Sequence, residues 1–269
     1  MPTQRALAAI CRTLIFITVH KLRYKKYLQS LAIFAAWMMI WQLISMVVGS
    51  ELLLPGPFAV AKTLYSLMLT ETFIESVFGT LLRVLIGFAL GMVVGCLIGI
   101  VTSKSELLSA FLSPLRSLIK ATPVTSFIVL VLLYMSSSVT PMFIAFLMVV
   151  PIAWTNMQDG LASTRKELIE MAKVFGFSRS KTLWSISIPS ARQNLISAAT
   201  TSLGFAWKSC VAAEVIASCK HSIGRAIYES KVYLEVSELF AWTAAIIIMS
   251  IILERLMLFA LRKLSKRRR

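Results

Sequence analysis

Between Lys120 and Asp159 the chain runs for 38 residues without a charged side chain. One helical crossing of a bilayer takes ~20 mostly apolar residues, so this run holds two crossings and the turn between them. The turn falls at Ser136-Ser137-Ser138, Thr140 and Pro141, where the apolar pattern breaks. Uncharged runs of 24 residues between Lys26 and Glu51 and of 20 between Arg83 and Lys104 each fit one crossing. Two shorter runs, Arg192 to Lys208 and Glu238 to Glu254, enclose 15 residues each and reach spanning length with their flanks. The sequence therefore predicts an all-α, polytopic membrane protein with six helices, at about 29–49, 80–102, 112–136, 140–158, 191–217 and 237–261.

Composition excludes the alternative of a soluble globule. Hydrophobic residues make up 58% of the 269 and charged ones only 15%, against about 25% charged in a typical soluble domain. The formal net charge of +16 then reports orientation. Six spans divide the loops into two sets, and Lys and Arg are shared between them eighteen to four. The richer set comprises 1–28, 103–107, 159–190 and 262–269. Cytoplasmic loops carry the basic excess, so both termini face the cytoplasm. The terminal cations Arg262, Lys263, Lys266, Arg267, Arg268 and Arg269 suit anionic lipid, and the charge is no nucleic-acid footprint. Residues 1–28 read as a basic cytoplasmic segment, with an interfacial amphipathic helix over 6–19, and 29–269 as the membrane domain.

Three features carry more detail. Gly87, Gly91, Gly95 and Gly99 recur every four residues in the second span, a ridge of small residues that lets a second helix approach closely. Lys208 and Glu214, next to Trp207, place ionisable groups inside the fifth span, where such groups are candidates for a translocation pathway; Lys208 there favours an anion. Six residues apart, the two face different directions and do not pair. Arg83 and Lys120 sit at span ends and read as interfacial anchors. Finally, the loop at about 159–190 contains an amphipathic helix from Lys166 to Phe175, with Leu168, Met171, Ala172 and Phe175 on one face. Gly176 follows at the position past the helix end that calls for a positive φ. Ser178 can cap a second short helix through Trp184, and Pro189 ends that segment.

That loop resembles the EAA loop of ATP-binding-cassette importer permeases. Glu170-Met171-Ala172, three residues, Gly176, nine residues, Ile186, one residue, Ile188-Pro189 is similar to Glu-Ala-Ala, three residues, Gly, nine residues, Ile, one residue, Leu-Pro. It departs at Met171 and Ile188, both apolar replacements. The likeness extends through Leu54-Pro55-Gly56-Pro57, Leu82-Arg83-Val84-Leu85-Ile86-Gly87-Phe88, Pro114, Pro123, Ala206-Trp207 and Ala213-Glu214, which resemble the nitrate, sulfonate, taurine and bicarbonate branch.

The resemblance implies the type I importer membrane fold in a bacterial inner membrane. Glu170, Met171, Ala172, Gly176, Ile186 and Pro189 would form the coupling element that docks on a cytoplasmic ATPase. A second permease copy and an extracytoplasmic binding protein would complete the assembly, and Glu214 would contribute to an intersubunit or outer-gate contact. No glycine precedes a lysine, so no P-loop is present; ATP and magnesium would sit on the partner and this chain would bind no cofactor. With two histidines and four unpaired-looking cysteines, it offers no metal site and no catalytic residue. An ion-coupled secondary transporter, with Pro141 and Pro151 as helix breaks, is the alternative reading.

Overall fold

The computed structural model describes residues 28–266, so the N-terminal segment proposed to lie at the interface, along with Arg267 to Arg269, falls outside the described residues. Helix α1 is Leu28–Val48, and α2 is Pro57–Met68. Residues to Lys62 group as one compact unit and those from Thr63 as another. Within the first unit the segment after α1 folds back on that helix. The Trp41 indole N–H donates to Pro55 O (3.1 Å) and the Ser45 hydroxyl to Leu54 O (2.8 Å).

The second unit is a helical bundle. Its elements are α3 (Glu71–Thr102), α4 (Glu106–Ala121), α5 (Val124–Leu132), α6 (Thr140–Ala162), α7 (Lys166–Val174), α8 (Arg179–Thr182), a π-helical turn (Leu183–Ser187), α9 (Ile188–Ser190), α10 (Arg192–Ala217), α11 (Ile223–Val232) and α12 (Val236–Lys266). Among the described residues, α1, α3, α6 and the Val236–Leu261 part of α12 are each long and apolar enough to cross a membrane.

The expected third span, a single helix over 112–136, is corrected by the structure. Here α4 and α5 meet at 100°. Proline disfavours the helical conformation in the residue before it, and Thr122, before Pro123, is extended at φ −78°, ψ 131°. The bend follows from that one step. By contrast α6 runs through Pro151 unbroken. The second span begins at Glu71, well before the expected residue 80, because Thr70 caps it and accepts from Phe73 N–H.

Helix α10 is long enough to span at 26 residues, yet it is less apolar than α3 and α6, the spans it packs against. Its position explains this. Packed among α3, α6, α11 and α12, it buries Ala198, Ser202, Ala206, Trp207, Ser209, Cys210 and Ala213. A helix lined by protein has no need of a lipid-compatible surface, and its hydroxyls bond to its own carbonyls, Ser209 to Phe205 O at 2.7 Å.

The glycine ridge lies flat against α6. A Cβ on Gly87 would stand 2.5 Å from Met142 O, one on Gly91 2.6 Å from Val149 Cβ, one on Gly95 2.6 Å from Val150 O and one on Gly99 2.7 Å from Met157 Cβ. Real Cβ atoms do not approach that closely, so the helix spacing itself depends on these four residues. Forcing a side chain into such a seam costs roughly 1–3 kcal/mol or more. Gly95→Leu is therefore expected to lower the thermal unfolding midpoint of the detergent-purified chain by several degrees. Gly204→Ala, where none of the described residues lies within 4 Å of the added Cβ, leaves it level or slightly raised.

Candidate functional site

Two sites sit at opposite ends of the bundle. One is the loop after α6. Ser163 closes α6, and Thr164 is buried with no hydrogen-bond partner for its hydroxyl among the described residues. From Arg165 the chain turns into α7, where Glu167 in the first turn and Lys173 in the last complement the helix dipole.

Only one side of α7 is covered. Ala172 is buried while Leu168 is half-buried, and Glu170, Met171, Val174 and Phe175 are exposed. Gly176 adopts φ +68°, and Phe177 N–H reaches back to Ala172 O at 2.9 Å, which closes the helix as the left-handed position allows. The Ser178 hydroxyl then accepts from Lys181 N–H at 3.2 Å and starts the next segment. That segment continues through α8 and the π-helical turn into Ile188-Pro189-Ser190 without leaving helical backbone. Ile186 is half-buried, Pro189 exposed, and Trp184 is 66% exposed.

The resulting surface is unusual for a water-facing loop. Val174 is 85% exposed and Phe175 72%, with Met171 and Trp184 also open. Met171, Val174 and Phe175, at helical spacing on a short element with a closed C-terminus, form an apolar projection, and Trp184 is exposed on the segment that follows.

The second site is built around Glu214, whose side chain is fully buried. Its carboxylate accepts from Thr80 Oγ1 at 2.8 Å, Arg83 Nη1 at 3.1 Å and Gly224 N–H at 3.3 Å. Arg83 also donates to backbone, Nη1 to His221 O at 3.2 Å and Nη2 to Lys220 O at 3.0 Å. Ile223 N–H donates to the Thr80 hydroxyl at 3.0 Å, so three elements, α3, α10 and the start of α11, are tied through one buried charge pair. Gly224 is required there: a Cβ would collide with Glu214 Cβ and Val215 N. The loop between α10 and α11 takes up the strain, with Ser218 at φ +47° and His221 at φ +49°. His221 Nδ1 lies 2.7 Å from Glu75 Oε2 on the surface beside it.

Of the candidate pathway residues, Glu214 and Trp207 lie inside the bundle and Lys208 on its exterior. The Trp207 indole N–H has no partner among the described residues. Arg83, Thr80 and Gly224 were not singled out in the sequence as partners of Glu214. The signal was nonetheless there: Arg83 and Glu214 are opposite charges near the same ends of two spans, and such charges seek each other in a bundle. Arg83 is no interfacial anchor.

Comparison with known proteins follows the same lines. Residues 87–269 match the family of binding-protein-dependent transport system inner membrane components. The chain belongs to that family and is a transmembrane transport subunit of the inner membrane. It is 23% identical to the taurine transport system permease protein of Escherichia coli strain K12, over 84% of this chain and 83% of that one. It is 24% identical to a putative aliphatic sulfonates transport permease protein of Bacillus subtilis, over 80% and 78%, and 25% identical to a nitrate import permease protein of Synechococcus elongatus, over 71% of each. Its fold is similar to a chain of the MetNI methionine ABC transporter, seen in inward-facing conformations. The TM-score is 0.61 at 15% identity, covering 72% of this chain and 95% of that one.

Removing one partner of a buried ion pair strands the other charge, at a cost of about 3 kcal/mol. Glu214→Ala is expected to destabilise the purified chain by that order in thermal or denaturant unfolding. Glu75→Gln, at the exposed His221 pair, changes it by under ~1 kcal/mol.

Proposed function

We propose that this chain is the membrane subunit of an ATP-driven importer of a small anion, and that two copies form the transport route. In this reading the 159–190 loop is the coupling element: Glu170, Met171, Ala172, Gly176, Ile186 and Pro189 shape a short lever seated in a cleft of a cytoplasmic ATPase. The observation that carries it is the exposed apolar surface of α7 at Met171, Val174 and Phe175, with Trp184 exposed on the next segment of the same loop, at the end that loop charge assigns to the cytoplasm. Apolar area of that size at helical spacing fits a helix-in-groove contact. ATP and magnesium are bound by the partner, and this chain holds no cofactor.

Directional work follows from rigidity. α6 enters the loop and α10 leaves it, so a displacement of α7 is passed to two helices packed against each other and against α3. Closure of the ATPase around ATP would move α7, and the bundle helices would turn with it. An extracytoplasmic binding protein would deliver the solute. Small anions are favoured by the sulfonate, taurine and nitrate carriers among the relatives.

Co-expression with an ATP-binding-cassette ATPase subunit from the same organism tests the docking directly. The two are expected to co-purify, and Phe175→Ala with Trp184→Ala is expected to weaken the complex at least about tenfold, as removal of two buried aromatic anchors does. Gly176→Pro, which cannot take a positive φ, should abolish it. Undiminished co-purification of these variants would exclude the loop as the docking element.

A further inference from the structure

Helix α4 is amphipathic in the sense opposite to a soluble helix. Ser109, Ser113, Arg116 and Lys120 fall within about 60° of one another at 100° per residue. Leu107, Phe111, Leu115 and Leu118 on the other side are exposed. A helix in lipid turns its apolar face out and its polar face to the protein. Here the polar face meets α6, and what it meets is arranged around two cations.

Arg116 is held from two directions. Its Nη1 donates to Gln158 Oε1 at 2.7 Å, and its guanidinium carbon stands 4.9 Å above the Trp154 ring. Both supports are themselves fixed. The Gln158 amide N–H groups donate to Thr102 Oγ1 (2.8 Å) and Ser109 Oγ (3.3 Å), which leaves its carbonyl facing Arg116. The Trp154 indole N–H donates to the same Thr102 oxygen at 2.8 Å, and Thr102 passes its own proton to Ile98 O at 2.7 Å. One turn on, Lys120 Nζ donates to Thr155 Oγ1 at 3.2 Å, whose proton goes to Pro151 O.

None of these partners carries a charge. The ion pairs of the described residues join Arg83 to Glu214, Arg165 to Glu167, His221 to Glu75 and Arg225 to Glu229, and neither Arg116 nor Lys120 takes part in one. Each has N–H donors left over, Arg116 is half-buried, and Lys120 is open. Two pre-oriented cations, one turn apart and without a carboxylate, have the composition of an oxyanion site.

We propose that Arg116 and Lys120 bind the transported oxyanion on the part of its route that follows the 103–105 turn, the end assigned to the cytoplasm. The proposal rests on the reading of the chain as an anion importer's membrane subunit and names the residues that take the anion. A lipid phosphate has the same chemistry, so the test separates the two. The full chain in phosphatidylcholine nanodiscs is titrated calorimetrically with methanesulfonate. Wild type is expected to bind saturably. Lys120→Gln, whose side chain supports no packing, should bind several-fold more weakly, and Arg116→Gln with Lys120→Gln at least about tenfold more weakly, with Arg116→Lys between them.

Absence of saturable binding by wild type overturns the proposal, and so does equal binding by the variants. The proposal is likewise overturned if phosphatidylglycerol added to the discs displaces methanesulfonate and native mass spectrometry finds that lipid retained by wild type and lost from Lys120→Gln. The importer reading fails separately. Its failure would show as no ATP-dependent anion uptake by the wild-type assembly, whatever the nanodisc titration gives.

Discussion

Everything functional in this chain hangs on the seam between α3 and α6. Four glycines let the α3 backbone seat directly against α6, its carbonyls and its Ala145, Val149, Ala153 and Met157 side chains, and in lipid that closeness replaces the hydrophobic drive that holds soluble helices together. The seam has a polar clasp near each end. At one, Thr80 and Arg83 of α3 hold Glu214 of α10. At the other, Thr102 of α3 orients Trp154 and Gln158 of α6. Because α6 leads straight into the 159–190 loop, the geometry of that loop relative to the bundle is set by how firmly α3 grips α6.

The two clasps differ in what they leave over. Around Glu214 the negative charge is met by Arg83, Thr80 and the Gly224 N–H, so the pair works as a fastening for α11 and the strained loop before it. Around Arg116 and Lys120 the charge is unmatched while the geometry is fixed. A buried pair of that first kind gives fixed relative position, and a pair of free cations of the second kind gives a place for something negative to arrive.

Much of this was legible in the chain itself. Long uncharged runs dictate the helices, and a four-residue glycine period dictates the seam. Gly176 dictates the end of α7, because few other residues accept φ +68° there. The resemblance to importer permeases was legible for the same reason, since its motif is a set of backbone constraints. What was not legible depends on distance across the bundle. Arg83 was read as an anchor because a linear sequence does not show that Thr80, Glu214 and Gly224 converge on one point. The 100° bend at Thr122-Pro123 was missed because a proline inside an apolar run marks either a tolerated kink or a break. Pro151, unbroken in α6, shows the other outcome, and the packing around each decides between them.

If movement of the 159–190 loop drives a small anion through this bundle, transport must follow ATP. The direct measurement is uptake into proteoliposomes holding the chain with an ATPase that co-purifies with it and a binding protein from the same organism, using radiolabelled taurine, nitrate and bicarbonate in turn. One of these anions should accumulate when ATP and magnesium reach the cytoplasmic face, and accumulation should cease with a non-hydrolysable ATP analogue. Uptake that ignores ATP and follows an imposed proton or sodium gradient would instead assign the chain to ion-coupled transport.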